Sequence, residues 1–187
     1  LIIHAGGFTT GAAIHALELA KSIASEGYVS LSIDYRLAPE TQFPGQLNDI
    51  NVLWNALKQS DYATHFDTNA FFLVGESAGA SIALNYGQFA DNEQLKGIVN
   101  LYGITDFELK SAISAENKLE LMAMIDAYRG NNHITDISPG NTSAPVKVPV
   151  LTIHGEKDAI ITYKQALEFH HDREHAHLPS EIIILPW

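Results

Sequence analysis

Ser77 stands inside Gly75-Glu76-Ser77-Ala78-Gly79, the first stretch of this chain whose residue types and spacing can do chemistry. A serine hydroxyl is a weak nucleophile at neutral pH. It acts only where a base takes its proton and fixed donors receive the charge that develops on the acyl oxygen. The apolar run 71–74 before it reads as a buried strand, and 80–84 after it begins a helix. Strand, Gly-bounded turn, then helix is the context in which Gly-x-Ser-x-Gly forms a nucleophile elbow. That turn lifts the hydroxyl above the sheet and leaves the backbone N–H of Ala78 beside it. Gly75 and Gly79 are small because a side chain at either place presses on a neighbouring strand or helix. The plainer reading of the same pentapeptide is a tight strand-to-helix turn with no chemistry.

The elements that must position Ser77 follow from periodicity. Strands are expected at 1–3, 28–33, 70–76, 98–102, 148–154 and 182–185, each a short apolar run without polar alternation. Between them lie helical patterns over 14–26, closed by Gly27, over 47–60, and over the segment after the elbow to 89. Thr105-x-x-Glu108 has the spacing of a capping box and opens a stretch expected to be helical to about 128. That stretch carries Leu109, Ile113, Leu119, Leu121, Met122 and Ile125, and 107–130 is a place for a small cap or lid. Packing onto the sheet explains the same pattern. Residues 131–145 are rich in Asn, Gly, Pro, Ser and Thr and read as loop, and Thr162-x-x-Gln165 caps a helix before the last strand. Alternating strands and helices specify an α/β fold, a mostly parallel sheet covered by helices on both faces. Ligands then bind at the carboxyl ends of the strands, where His4, Asp34, Ser77, Asp106 and Asp158 all fall.

Composition narrows the partners. A chain of 187 residues suits one domain, 1–187, and a formal net charge of −11 supplies no basic face for nucleic acid. With no cysteine there is neither a disulfide nor a thiolate metal site, and no apolar run reaches membrane-span length. These features, with no visible leader, favour a cytoplasmic over a secreted location.

Four motifs occur in a telling order: His4-Ala5-Gly6-Gly7, then Asp34-Tyr35-Arg36-Leu37-Ala38-Pro39-Glu40, then the Ser77 pentapeptide, then His154-Gly155-Glu156-Lys157-Asp158. In that order they resemble the α/β-hydrolase esterases and lipases, most closely the hormone-sensitive-lipase-like and carboxylesterase group. Ser138-Pro139 is similar as well. The resemblance covers the whole chain and implies an α/β-hydrolase fold and a carboxylic-ester hydrolase acting on a small-molecule ester, with no cofactor and no metal. It implies Ser77 as nucleophile, Asp158 as the acid that orients the base, and backbone N–H groups of Gly6, Gly7 and Ala78 as the oxyanion hole. The chain departs from the group's pattern at Ala5 and Ala80, where glycine is frequent. Hydrolysis of another acyl bond (a peptide, or an acetyl or feruloyl ester on a polysaccharide) and non-catalytic ligand binding are the other readings.

The order Ser, acid, His places the base after the last strand. Here that strand ends at Pro186, and His170, His171, His175 and His177 precede it on or beside a polar helix, where they read as solvated. His4 and His154 precede Asp158 and are expected to brace loops. The 170–177 spacing also permits a metal reading, but no carboxylate in a ligand motif accompanies it. Asp106 is the other candidate acid, with a structural role at a helix start as the expectation, and Asp34 and Arg36 are expected to form an internal ion pair or hydrogen-bond network. Glu76 is expected to point away from the nucleophile. The chain thus reads as an internal part of a longer hydrolase, truncated at both ends and lacking its base. Such a chain keeps at best the about 10³–10⁴-fold advantage over water that an oxyanion hole and binding supply. The 187-residue chain is expected to hydrolyse esters far more slowly than a C-terminally extended one; equal rates contradict this.

Overall fold

In the computed structural model, which describes residues 1–111, 115–141 and 143–186, six parallel strands form one sheet in the order β2-β1-β3-β4-β5-β6. They are β1 (Ile2–Ile3), β2 (Ser32–Ile33), β3 (Phe71–Glu76), β4 (Leu95–Leu101), β5 (Val150–Gly155) and β6 (Ser180–Leu185). Helices α1 (Leu17–Ser25), α2 (Gly45–Lys58), α3 (Ala78–Phe89), α4 (Ala115–Arg129) and α5 (Tyr163–His175) supply the crossovers. The expected fold class holds, and all six expected strands are present.

Consecutive residues of a strand face opposite sides. Ile2 and Val74 pack with Ala16, Ala20 and Ile23 of the first crossover. Ile3 and Leu73 face the larger core, with Leu47, Ile50 and Trp54 of α2 and Ile82 and Leu84 of α3. α1 therefore covers one face, and α2 and α3 cover the other. α3 is buried at every residue from Ala78 to Tyr86. Its interior polar groups are paired: Ser81 Oγ donates to the Ile104 carbonyl, and Asn85 binds the Ile137 carbonyl and the Tyr128 hydroxyl. A buried polar group left unpaired costs about 1–3 kcal/mol.

Two local expectations resolve differently. Gly27 closes the first crossover helix at φ +91, as its spacing predicted. The Thr105 capping box does not form, and the helix opens at Ala115. Thr105 is tied instead to α5, its N–H and hydroxyl donating to the side chain and carbonyl of Gln165. Gln165 is thereby unavailable to complete the second box. Thr162 still caps α5 by accepting from the Lys164 N–H. Ile113, counted on the apolar pattern of that stretch, lies outside the described residues.

α3 meets the sheet with no space to spare. A Cβ at Gly79 stands 2.2 Å from the Ile3 carbonyl oxygen and 2.6 Å from that of His4, and one at Gly75 stands 2.4 Å from the backbone of Gly79 and Ala80. Backbone atoms in a parallel sheet cannot yield, so Gly79→Ala forces α3 away from β1. Overpacking of this kind costs about 1–3 kcal/mol or more. The expected result is a lower thermal midpoint, by about 2–4 °C per kcal/mol. An unchanged midpoint refutes the contact.

Candidate active site

Strand order reverses between β1 and β3: the chain moves outward from β1 to β2, then returns across to β3 and onward. In open α/β sheets a crevice forms at such a reversal, outside the carboxyl ends of the strands. The loop after β1 carries Gly6 and Gly7, and the turn after β3 carries Ser77. Register aligns Ile3 with Gly75, so the two loops leave the sheet side by side.

Ser77 is the corner between β3 and α3. Its N–H still donates strand-fashion to the Leu101 carbonyl, while its own carbonyl accepts from Ala80 and Ser81 as the start of α3. Meeting both demands puts Ser77 at φ 52, ψ −117, a conformation that an L side chain rarely adopts. Such strain costs on the order of 1–3 kcal/mol and gathers at functional sites. Phe8 and Tyr102, which flank the same crevice, also have positive φ, at 67 and 44. The Ser77 side chain is partly exposed and has no hydrogen-bond partner among the described residues. The Ala78 N–H, at the positive end of the α3 dipole, meets no protein acceptor among them either.

The loop after β1 turns sharply at Gly6 (φ +135), whose carbonyl accepts from the Thr9 and Thr10 N–H groups. A Cβ there stands 2.1 Å from the Thr10 carbonyl oxygen, so only glycine fits. The N–H groups of Gly6 and Gly7 likewise have no acceptor among the described residues. The 34–40 motif braces this loop. The Tyr35 ring stacks on His4 at 4.4 Å, its hydroxyl donates to the His4 carbonyl, and the Ala38 N–H donates to the Phe8 carbonyl. Phe8 is buried, stacked on Tyr128 at 4.3 Å and set edge-on to Phe107. Asp34 and Arg36 do not pair with each other; each enters a hydrogen-bond network instead, the other form the expectation took. Asp34 accepts from the Ala13 N–H, while Arg36 pairs with Asp49 of α2, which also accepts its backbone N–H.

Asp158 follows β5, partly buried. Its Oδ1 accepts from the N–H groups of Ile160 and Ile161 at 2.8 and 2.9 Å, and its Oδ2 lies 3.3 Å from His154 Nε2. Asp106 spends both carboxylate oxygens on the Glu108 and Lys110 N–H groups, in a turn rather than at a helix start. Glu76 is turned to the Tyr102 hydroxyl, which donates to it at 2.8 Å. Tyr102 had no role in the sequence reading. Its position next to Leu101, whose carbonyl holds Ser77, was the available signal.

α4 bridges the two sides. Its Met124 sulfur sits against Gly7, and its Asn117 side chain donates to the Ala159 carbonyl beside Asp158. Its Ile125 and Tyr128 are buried in the main core. His171, His175 and His177 are exposed, as expected of solvated residues. His170 is partly covered and bonded through Nδ1 to Ser180 Oγ. Among the described residues, no group of three or more His, Asp or Glu is placed to hold a metal, and no helix is long and apolar enough to cross a membrane.

Parallel sheet, reversal point, strained serine turn and glycine loop define an α/β-hydrolase of the esterase and lipase group. The BD-FAE family profile matches residues 1–172, and the chain belongs to that family. It is 26% identical over 188 residues to Esterase LipC of Mycobacterium tuberculosis, covering 90% of this chain and 46% of that protein. It is 30% identical over 111 residues to an ethyl acetate hydrolase of Pseudomonas putida, covering 57% of this chain and 35% of that one. The fold matches the crystal structure of esterase B from Lactobacillus rhamnosis with a TM-score of 0.83 at 20% identity, over 98% of this chain and 64% of the other. The chain thus spans less than half the length of these two curated relatives.

Burial sets the alkaline limit of this structure. Desolvation pushes the Tyr35, Tyr86, Tyr102 and Tyr128 hydroxyls above their ordinary value, with the Glu76 bond and the Asp158 charge adding to the effect at Tyr102. Unfolded tyrosines lose their protons near pH 10, while these four keep theirs in the fold. The folded state then binds more protons, so stability is whole below about pH 10 and falls above it. Urea midpoints across that range should show this, with a shallower fall in Tyr102→Phe; an identical fall in that variant removes Tyr102 from the account.

Proposed function

We propose that this protein is a carboxylic-ester hydrolase working through an acyl-enzyme on Ser77. The carrying observation is the strained, partly exposed Ser77 at the reversal point, beside the N–H groups of Gly6, Gly7 and Ala78, unpaired among the described residues. In this reading Ser77 Oγ bonds to the ester carbonyl carbon as its proton passes to a base. The carbonyl oxygen takes the electron pair and is held by the three N–H donors. Collapse expels the alcohol, which receives the proton, and water repeats the sequence to release the acid. Losing one oxyanion donor typically costs about 10²–10³ in rate.

Asp158 serves as the acid that orients the imidazole base. Among the described residues no histidine bonds the Ser77 hydroxyl, and His154 has its Nε2 engaged with Ile161 and Asp158. In this reading the base is the imidazole that docks on the Asp158 carboxylate. α4 forms a wall between the glycine loop and the Asp158 loop, with Met124 beside the acyl position. A small acyl group is the substrate that this wall and the likeness to an ethyl acetate hydrolase support.

The test, run on a chain that carries the base, is labelling with a fluorophosphonate probe together with turnover of p-nitrophenyl esters of increasing acyl length. Ser77→Ala should abolish labelling and lower kcat by about 10⁶. Turnover should decline with acyl length. Undiminished turnover in Ser77→Ala overturns the nucleophile, and absence of labelling in the wild type points to a binding protein instead.

A further inference from the structure

Asp158 is only as useful as it is fixed, because a carboxylate that swings cannot hold an imidazole in one orientation. Beneath it lies His154, buried in β5 at 1% exposure. We propose that His154 is a positioning residue for Asp158, an inference that rests on the hydrolase reading above.

The geometry closes a small ring of contacts. His154 Nε2 lies 2.9 Å from the Ile161 carbonyl oxygen. A carbonyl only accepts, so Nε2 carries the hydrogen and Nδ1 is bare. Nδ1 is buried without a partner, which suits the neutral ring, since a buried unpaired N–H on a cation is costly. The residue that receives this bond also fixes the acid: the Ile161 N–H donates to Asp158 Oδ1. His154 thus grips the Ile161 carbonyl while Asp158 grips the Ile161 amide, and the turn between them cannot open without breaking both. The same Nε2–H edge faces Asp158 Oδ2 at 3.3 Å, turning the positive end of the N–H dipole toward the second oxygen.

The two carboxylate oxygens are therefore unequal. Oδ1 is occupied by the Ile160 and Ile161 amides, whereas Oδ2 faces only the His154 edge among the described residues. An imidazole donor docks on Oδ2. With His154 gone, the turn loosens and the carboxylate rotates. Displacing a positioned group by about 1 Å costs on the order of 10² in rate.

The experiment compares His154→Met, similar in length but without a donor, with His154→Gln, whose amide keeps one, each alone and combined with Asp158→Asn in the full chain. Expected is about a 10²-fold loss of kcat in His154→Met with KM little changed, and recovery of most of that loss in His154→Gln. In the Asp158→Asn background, His154→Met should cost almost nothing more, because its effect passes through the carboxylate. Wild-type kcat in His154→Met, a His154→Gln no better than it, or additive losses in the double variant overturns the proposal. A measurement on the unaltered protein does not depend on the variants folding: imidazole ¹⁵N resonances should show the proton on Nε2, and a proton on Nδ1 refutes the arrangement. Retained turnover in Ser77→Ala overturns the hydrolase reading instead, leaving the ¹⁵N result to judge the His154 contacts.

Discussion

The structure depends on one corner, the backbone of Ser77 held at φ 52, ψ −117 between β3 and α3. Neither side can relax it. The Leu101 carbonyl keeps the Ser77 N–H in the strand pattern, and α3 is wedged so closely against β1 that only glycine fits at position 79. Strain of about 1–3 kcal/mol persists only where its surroundings over-determine it. Here they do so through a helix buried at every residue from Ala78 to Tyr86, whose polar side chains are each satisfied. The corner is rigid because the core is.

The same core reaches the loops. Phe8, in the loop after β1, is stacked on Tyr128 of α4, and Tyr35 of the 34–40 motif is stacked on His4. Aromatic pairs of this kind contribute about 0.5–1.5 kcal/mol beyond area burial. They also fix direction. A glycine loop that presents unpaired N–H groups is floppy by nature, and the aromatic layer removes that freedom. This accounts for the 34–40 motif, which local strand-to-loop chemistry leaves unexplained: its tyrosine and Ala38 amide are the struts of the loop opposite.

Much of this was legible in one dimension. Gly75-Glu76-Ser77-Ala78-Gly79 between an apolar run and a helix-forming run states its own turn, and the six apolar runs state a parallel sheet. Other readings failed where a distant residue intervened. Thr105 and Glu108 have capping-box spacing, but Gln165 claims Thr105 and the helix begins at Ala115. For Asp34 and Arg36 the expected hydrogen-bond network is there, but it runs to Ala13 and Asp49 and not between the two. Tyr102 and Asn117 were silent because a hydrogen bond across loops leaves no periodic trace.

The sequence by itself determined the elements, their order and the chemical kind of each loop, because strand, helix and turn propensities act over a few residues. It also determined which serine stands at the sheet edge. Only the tertiary structure decided that the edge is a crevice, since the strand order reverses between β1 and β3. Only there do the Ala78 and Gly6–Gly7 amides come to the same place, without acceptors among the described residues. Only there does His154, which reads as a loop brace, come to rest against the Asp158 carboxylate. Those outcomes depend on contacts between residues far apart in the chain, and spacing along a sequence carries no distance across a fold.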